Sequence, residues 1–407
     1  MTITIRPVTL DSFTQTQENY KTSNFLQSSQ MAYIQQKRNR FNCVTLGIFD
    51  NDELIGQCLV LYRKKARLFK EAIILHGPLL DYSNIQLLER VLPKLKNYFK
   101  QEGTAYLSIH PNVTNNILTP NLEVKHENLG QEVIDCFASY GFSHFVDAQQ
   151  TLVANQIFTK ELKSFHSIAD IEKTYSHALR KELKKIRSTH IKIKELKIDE
   201  LSEFYNIVKS TGERKDFALQ EFEYFKLLKE YFNEKAVYLL AYLDCKEYTT
   251  SLKEQIAVHQ QTLDELSAKE QTKKVKGAIL DTTAKLNSAV NRLTNFENLS
   301  ISQESLPLSS ILFITYGNEV VSFVGGNYEQ YLNFGGATLL NSSMIAYALE
   351  NHFERYNFYG TIETDQAQSG SGNFKFKRQF NGQLEQFIGG FTIHLNPLLK
   401  IINKFKQ

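Results

Sequence analysis

At 407 residues the chain is too long for a single small module, since a typical domain takes about 150. With 42% hydrophobic and 22% charged residues it has ordinary globular composition, which excludes wholesale disorder. Lys plus Arg number 47 against 44 Asp plus Glu, a formal charge of +3 that names no partner.

Cys43, Cys58, Cys136 and Cys245 lie far apart with no CxxC pair, which argues for reduced thiols and against a disulfide framework or zinc site. The opening MTITIRPVTLDSF starts like a strand and lacks the basic region and apolar run of a signal peptide. No stretch approaches the roughly 18 apolar residues that span a bilayer. The expected location is cytoplasmic, with peripheral contact at the inner face of the cell membrane left open.

Residues 1–150 alternate β-rich runs with helical ones. Val44–Phe49, Leu54–Tyr62, Ala72–His76 and Ala105–His110 read as strands. Asn84–Glu102 carries Leu87, Leu88, Val91, Leu92, Leu95, Tyr98 and Phe99 at helical spacing, and Glu132–Tyr140 is a helix stopped by Gly141. A second unit opens with a strand over Thr151–Phe158, followed by helices over Ile168–Ser188, Asp199–Thr211 and Leu219–Phe232, then a strand over Lys235–Leu243.

From about 246 to 300 there is no Pro and one Gly. Leu252, Ile256, His259, Leu263 and Leu266 follow a 4-3-4-3 spacing, and Leu286, Ala289, Leu293 and Phe296 a 3-4-3 one. This predicts an antiparallel helical coiled-coil hairpin, turning at Lys273–Gly277 and projecting from the body. Strands resume at Ser310–Tyr316, Val320–Gly325 and Tyr331–Phe334, then a helix over Leu340–Arg355 and a strand over Tyr356–Tyr359. The loop DQAQSGSGN follows.

The strongest charge asymmetry is Arg180–Lys197, with eight Lys or Arg and two acids. Arg180, Lys184 and Arg187 share one helical face and suit phosphates of RNA or a lipid headgroup; a solvated helix face is the alternative. A second basic cluster, Arg63–Arg67, lies between two strands. There is no GxSxG elbow, Walker loop or GxGxxG, and ten histidines show no metal-ligand spacing, so no metal site is expected.

Five stretches together resemble the Fem family of peptidoglycan aminoacyltransferases, in particular its MurM/MurN branch. They are NFLQSSQMAYIQQKRN (Asn24–Asn39), RKDF (Arg214–Phe217) after Thr211, the helical hairpin, YLNFGGATLLNSS…YALE (Tyr331–Glu350), and YGTIE…GNFKFKRQFNGQLEQFIGGF (Tyr359–Phe391). The last carries the G-x-x-x-F-K-x-x-F pattern as Gly372, Phe376, Lys377 and Phe380. The resemblance implies an α/β fold of two GNAT-like (acetyltransferase-like) domains with the hairpin inserted. The expected domains are 1–150, joined by about 385–407, and 151–384, interrupted by the arm at 246–300.

The implied reaction moves an aminoacyl group from aminoacyl-tRNA to an amine of the stem peptide of a lipid-linked peptidoglycan precursor (lipid II). No cofactor is implied; aminoacyl-tRNA is the co-substrate. By the resemblance, Lys37 and Arg214 grip the precursor's phosphates, while Phe334, Gly335 and Gly336 contact substrate. Lys377, in the Phe376–Lys377 pair, is the cation beside the reacting ester; read without the resemblance it is a solvent-facing strand lysine. Where the family has an acid before proline this chain has His110-Pro111, and His110, with a near-neutral pKa, is the expected proton acceptor or else a spectator.

The arm resembles that of a seryl-tRNA synthetase and is a candidate tRNA contact; a protein-interaction or dimerisation arm is the alternative. The tail Pro397–Gln407 suits an anionic membrane surface or a helix packed on the body. Two rival functions remain, an acetyl-CoA-dependent N-acetyltransferase and a non-enzymatic RNA-binding or scaffold protein using the arm. The transferred amino acid, the order of addition and the oligomeric state are not legible in the sequence.

Overall fold

Alternating apolar residues and helical periodicities sort the chain into strands and helices whose buried faces cover one another. The computed structural model describes residues 2–65, 69–147, 151–215, 219–299, 301, 303–361 and 371–396. Most of the DQAQSGSGN loop, the tail Pro397–Gln407, Asp216 and Phe217 of RKDF, and Ala66 and Arg67 of the second basic cluster lie outside them.

The chain begins with β1 (Ile3–Pro7), α1 (Leu10–Thr16), α2 (Ser29–Arg38), β2 (Asn42–Asp50), β3 (Glu53–Lys65) and β4 (Phe69–Leu75). Next come α3 (Ile85–Gln101), β5 (Tyr106–His110), β6 (Thr114–Leu118), β7 (Val124–His126), α4 (Gln131–Ser139) and β8 (Ser143–Phe145). The middle holds β9 (Gln156–Glu161), α5 (Ile168–Thr174), α6 (His177–Arg187), β10 (Ile191–Glu195), α7 (Leu201–Lys215) and α8 (Phe222–Phe232). Then follow β11 (Ala236–Asp244), α9 (Cys245–Ser267), α10 (Lys273–Glu297), β12 (Ser305–Tyr316) and β13 (Glu319–Asn327). The chain closes with α11 (Gly336–Glu350), β14 (Arg355–Gly360), α12 (Ser371–Arg378), β15 (Gln383–Phe387) and β16 (Gly390–His394).

Among the described residues these strands form a seven-stranded sheet, β1-β2-β3-β4-β5-β16-β8, and a nine-stranded sheet, β10-β11-β12-β13-β14-β9-β15-β6-β7. Each is mixed, with one parallel pair: β4 with β5, and β13 with β14. The α3 helix shows why such elements pack. The Asn84 side chain caps its N-terminus, and Leu88, Val91, Leu92, Leu95 and Phe99 bury one stripe against the smaller sheet. Each such side chain contributes about 2 kcal/mol of burial.

The sheets exchange strands. β6 and β7 precede residue 150 yet lie in the larger sheet, and β15 and β16, two residues apart, lie in different ones. Gly389 makes that last crossing at φ +88; a Cβ there would sit 2.3 Å from the Phe145 carbonyl oxygen.

Several sequence expectations need correction. Thr151–Asn155 is not strand; β9 starts at Gln156. The helix expected over Ile168–Ser188 breaks at Tyr175, whose extended backbone lets the Ser176 side chain cap a new helix. Tyr331–Phe334 lies in a 3-10 turn, Glu329–Phe334, and α11 runs from Gly336 to Glu350. β6 and β10 are not anticipated: β6, TNNIL, shows no clear alternation, and β10, IKIKE, does alternate but lies in the basic stretch that reads as a charge cluster.

The hairpin turns at 268–272, not at Lys273–Gly277, because the Thr272 side chain caps α10 and Gly277 sits within it. Tyr248, early in α9, packs its ring 5.1 Å from Phe296, late in α10, so the two helices run antiparallel. Burial is concentrated at the base, where Leu252 and Phe296 join Leu243, Leu306 and Leu308. Farther out, Val258 and Leu280 are exposed.

Candidate active site

Burying a lysine without a carboxylate is costly unless its protons find acceptors. Lys377 is 6% exposed in α12, and its Nζ donates to the Tyr359 carbonyl at 3.1 Å and the Gly360 carbonyl at 2.6 Å. Burial pushes its pKa down to about 7. It is thus neither a strand residue nor solvent-facing. Its neighbour Phe376 is half-buried and packs at 5.4 Å on Phe380, anchoring the helix to the core of the larger sheet.

The carbonyls facing Lys377 belong to the end of β14. Tyr359 sits at φ +61, a left-handed conformation that is rare for a bulky side chain. Its ring packs between Phe25, from the segment preceding α2, and Phe323 on β13. Side chains from both halves of the chain therefore meet beside the lysine.

Arg214, in the last turn of α7, is 25% exposed and reaches Glu329 at 3.4 Å. Helix α7 is seated on β13 by Thr211, whose hydroxyl accepts from the Asn327 N–H at 2.9 Å. Gly326 allows that approach, since a Cβ there would meet the Ile207 carbonyl at 2.7 Å. Lys37 is exposed in the last turn of α2. The end of that helix is tied to the segment after Arg214: Arg38 donates to Gln220 at 2.7 Å, and Arg40 pairs with Glu221 at 2.8 Å.

His110, at the end of β5, is 1% exposed, with neither ring nitrogen hydrogen-bonded to another described group. Burial pushes its pKa down to about 4, away from the near-neutral value expected. The desolvated imidazole is held neutral and is a weak base. Its ring contacts Phe145, and among the described residues no hydrogen bond or ring contact joins it to Lys377.

Phe334, Gly335 and Gly336 gather at the base of the arm. Phe334 packs at 5.8 Å against Tyr248 and lines a cavity of about 630 Å³ with Lys185, Arg292 and Phe296. Gly335, at φ +74, turns the chain into α11 against the Ile186 side chain, and Gly336 wedges against Leu308, Ser309 and Ala241. On α6, Arg180 and Lys184 are exposed. Arg187 instead makes a two-pronged contact with Glu172. Phe376 and Lys377 thus lie on α12 and Phe334, Gly335 and Gly336 at the arm base, while among the described residues no hydrogen bond, ion pair or ring contact joins Lys37, Arg214 or His110 to Lys377. The structure adds Tyr359, which opens the YGTIE stretch but carries no role in the sequence reading, and Tyr248 and Arg292, which no local motif marks.

Among the described residues no group of His, Cys, Asp or Glu is placed to hold a metal, and no helix is long and apolar enough to cross a membrane. The FemAB family model matches residues 6–407. Aminoacyltransferase FemA of Staphylococcus epidermidis is 26% identical over 374 residues, spanning 89% of each chain. That of Staphylococcus aureus is 25% identical over 362 residues, spanning 85% of this chain and 84% of the relative. A crystal structure of FemX aligns with a TM-score of 0.76 at 21% identity, covering 98% of this chain and 99% of that one.

Proposed function

The chain belongs to the FemAB family and is an aminoacyltransferase, and from that premise we propose that it extends a peptidoglycan precursor. It takes an aminoacyl group from aminoacyl-tRNA and joins it to an amine of the stem peptide of a lipid-linked precursor, building the cross-bridge. The observation that carries this reading is Lys377, buried and donating to two backbone carbonyls.

The chemistry follows from the groups present. The stem-peptide amine attacks the ester carbon of the aminoacyl-tRNA, forming a C–N bond and a tetrahedral oxyanion. Two Lys377 donors are engaged by Tyr359 and Gly360, leaving one N–H of the ammonium for that oxyanion. Collapse breaks the C–O bond, and the departing tRNA hydroxyl takes up a proton equal to the one the attacking amine releases. His110, neutral and buried, is left out of this proton transfer.

Lys37 and Arg214 are the phosphate-gripping cations of this reading, each near the end of its helix, Lys37 exposed and Arg214 partly exposed beside Glu329. Arg180 and Lys184 contact tRNA phosphates. The protein works in the cytoplasm at the inner membrane face. Incubating it with the lipid-linked precursor and Ala-, Ser- or Gly-tRNA, then weighing the product, tests the reading. A mass gain of one residue is expected with one of the three; no gain with any, where a FemA relative is active, overturns it.

A further inference from the structure

The strand that supplies the Lys377 acceptors departs from regular pairing at the point where it meets the lysine. β14 pairs with β9 through Arg355, Tyr356 and Asn357, then resumes only at Gly360 opposite Ile157. Phe358 and Tyr359 fall in the irregular stretch, and Tyr359 takes its left-handed φ there. A β-bulge of this kind re-aims the backbone groups it contains.

One side chain clamps the irregular stretch. Asn357 is 3% exposed, and its Oδ1 accepts from the Tyr359 N–H at 2.8 Å. Its Nδ2 donates to Glu319 Oε2 at 3.1 Å, so the amide cannot swing away. Glu319 is itself held by Arg355 at 2.9 Å, and Arg355 also reaches both Glu385 oxygens at 3.3 Å. Thr159 and Thr114 donate to the same Glu385 carboxylate. A chain of largely buried polar contacts therefore runs from five strands, β6, β9, β13, β14 and β15, to the N–H of a single residue.

We propose that Asn357 is a positioning residue for Lys377, holding Tyr359 left-handed so that the Tyr359 and Gly360 carbonyls face the lysine Nζ. Asn357 touches Lys377 through no contact of its own and acts through the backbone it clamps. The significance of that arrangement for transfer rests on the role proposed above for Lys377; the arrangement itself does not.

Other charged groups near Lys377 are accounted for. Lys160 on β9 donates to Thr174 and to the Phe380 and Asn381 carbonyls, Glu161 lies at the exposed end of β9, and Arg355 is bound to Glu319 and Glu385. Lys375 and Arg378 on α12 are exposed. Losing an aimed carbonyl removes an acceptor that favours the charged lysine, so the Lys377 titration moves to lower pH.

The test compares wild type, Asn357→Ala and Asn357→Ser in the full-length protein, with a thermal melt to establish folding. Serine keeps a shorter, weaker acceptor for the N–H two residues on. The first readout is the NMR titration of the Lys377 ε-methylene in the free protein, which needs no activity. Its midpoint is expected to fall by about half a unit or more in Asn357→Ala and by less in Asn357→Ser. The second readout is transfer: kcat falls about tenfold in Asn357→Ala while KM for both substrates stays within about twofold.

A folded Asn357→Ala protein whose Lys377 midpoint stays in place or moves to higher pH overturns the proposal. Should the alanine variant not fold, the serine variant decides, and an unmoved midpoint there overturns it equally. If wild type transfers nothing, the function proposed above fails while the titration still decides the role of Asn357.

Discussion

Lys377 Nζ lies 2.6 Å from the Gly360 carbonyl oxygen, an ammonium held by backbone where a buried lysine would ordinarily need a carboxylate. With carbonyls as its partners the lysine keeps its full positive charge for whatever anion forms beside it. Burial at the same time makes the charge easy to lose, with a pKa of about 7.

That balance predicts the pH profile. In the role proposed for Lys377, transfer needs the protonated lysine, so kcat is expected to fall as pH rises through about 7. Lys377→Arg keeps its charge at all working pH values and should flatten that limb, whereas Lys377→Met should lower kcat by about a hundredfold. Rate profiles of the three proteins decide it; a limb that persists unchanged in Lys377→Arg removes Lys377 from the role.

Stability should respond in the opposite sense. The folded pKa lies below that of an unfolded lysine, so the unfolded state binds more protons between the two values. Stability is therefore lowest below about pH 7 and rises toward the unfolded lysine's pKa. Urea melts at pH 6.5 and 9.5 should show wild type gaining on Lys377→Met, by on the order of a few kcal/mol. An equal gap at both pH values contradicts the burial of a titrating lysine.

Arg355 sits between two nearly buried carboxylates, Glu319 and Glu385. Removing its charge leaves both uncompensated, so Arg355→Met is expected to cost about 3–5 kcal/mol in denaturant melts. Burial raises the Glu385 pKa, but Arg355 and the hydrogen bonds from Thr159, Gln383 and Thr114 outweigh it, so the carboxyl titrates below its ordinary value. Its contribution is present above the unfolded pKa and disappears as pH falls through the folded one. A loss under about 1 kcal/mol in Arg355→Met would mean the network is merely decorative.

Gly326 sets the distance between α7 and β13. Gly326→Ala forces the Ile207 carbonyl and Val208 away, costing about 1–3 kcal/mol and displacing Arg214 on the same helix. The kinetic expectation is a raised KM for the lipid-linked precursor with kcat less affected. A KM equal to wild type would separate Arg214 from precursor binding.

On α6 the exposed Arg180 and Lys184 differ from Arg187, which Glu172 already engages. Replacing Arg180 and Lys184 together by Gln should raise KM for aminoacyl-tRNA about tenfold and flatten its salt dependence by one to two units of slope, roughly. Arg187→Gln should leave that slope alone. Should all three behave alike, the helix face is solvated surface rather than a phosphate contact.

Long periodic elements were legible in the sequence. Asn84–Glu102 was read within a residue of α3 at each end because its apolar spacing, Asn84 cap and amphipathic face all agree. The strand at Tyr356–Tyr359 and the FKFKRQF segment were also visible, but their relation was not. That Lys377 would be helical and buried depends on α12 packing beside β9 and on the end of β14, residues far apart along the chain. His110 illustrates the converse: its residue type suggested a proton acceptor, and burial among Phe145 and neighbours removed that basicity.

The sequence by itself determined the α/β character, the two-helix arm and the motifs that place the chain in its family, because these rest on local periodicity and residue identity. Only the tertiary structure decided the exchange of strands between sheets, the charge state available to Lys377, the withdrawal of Arg187 into an ion pair and the left-handed turn at Tyr359. Each depends on which distant groups exclude water from a side chain or supply its hydrogen bonds. That information is absent from any single stretch of sequence and arises only when the sheets close over one another.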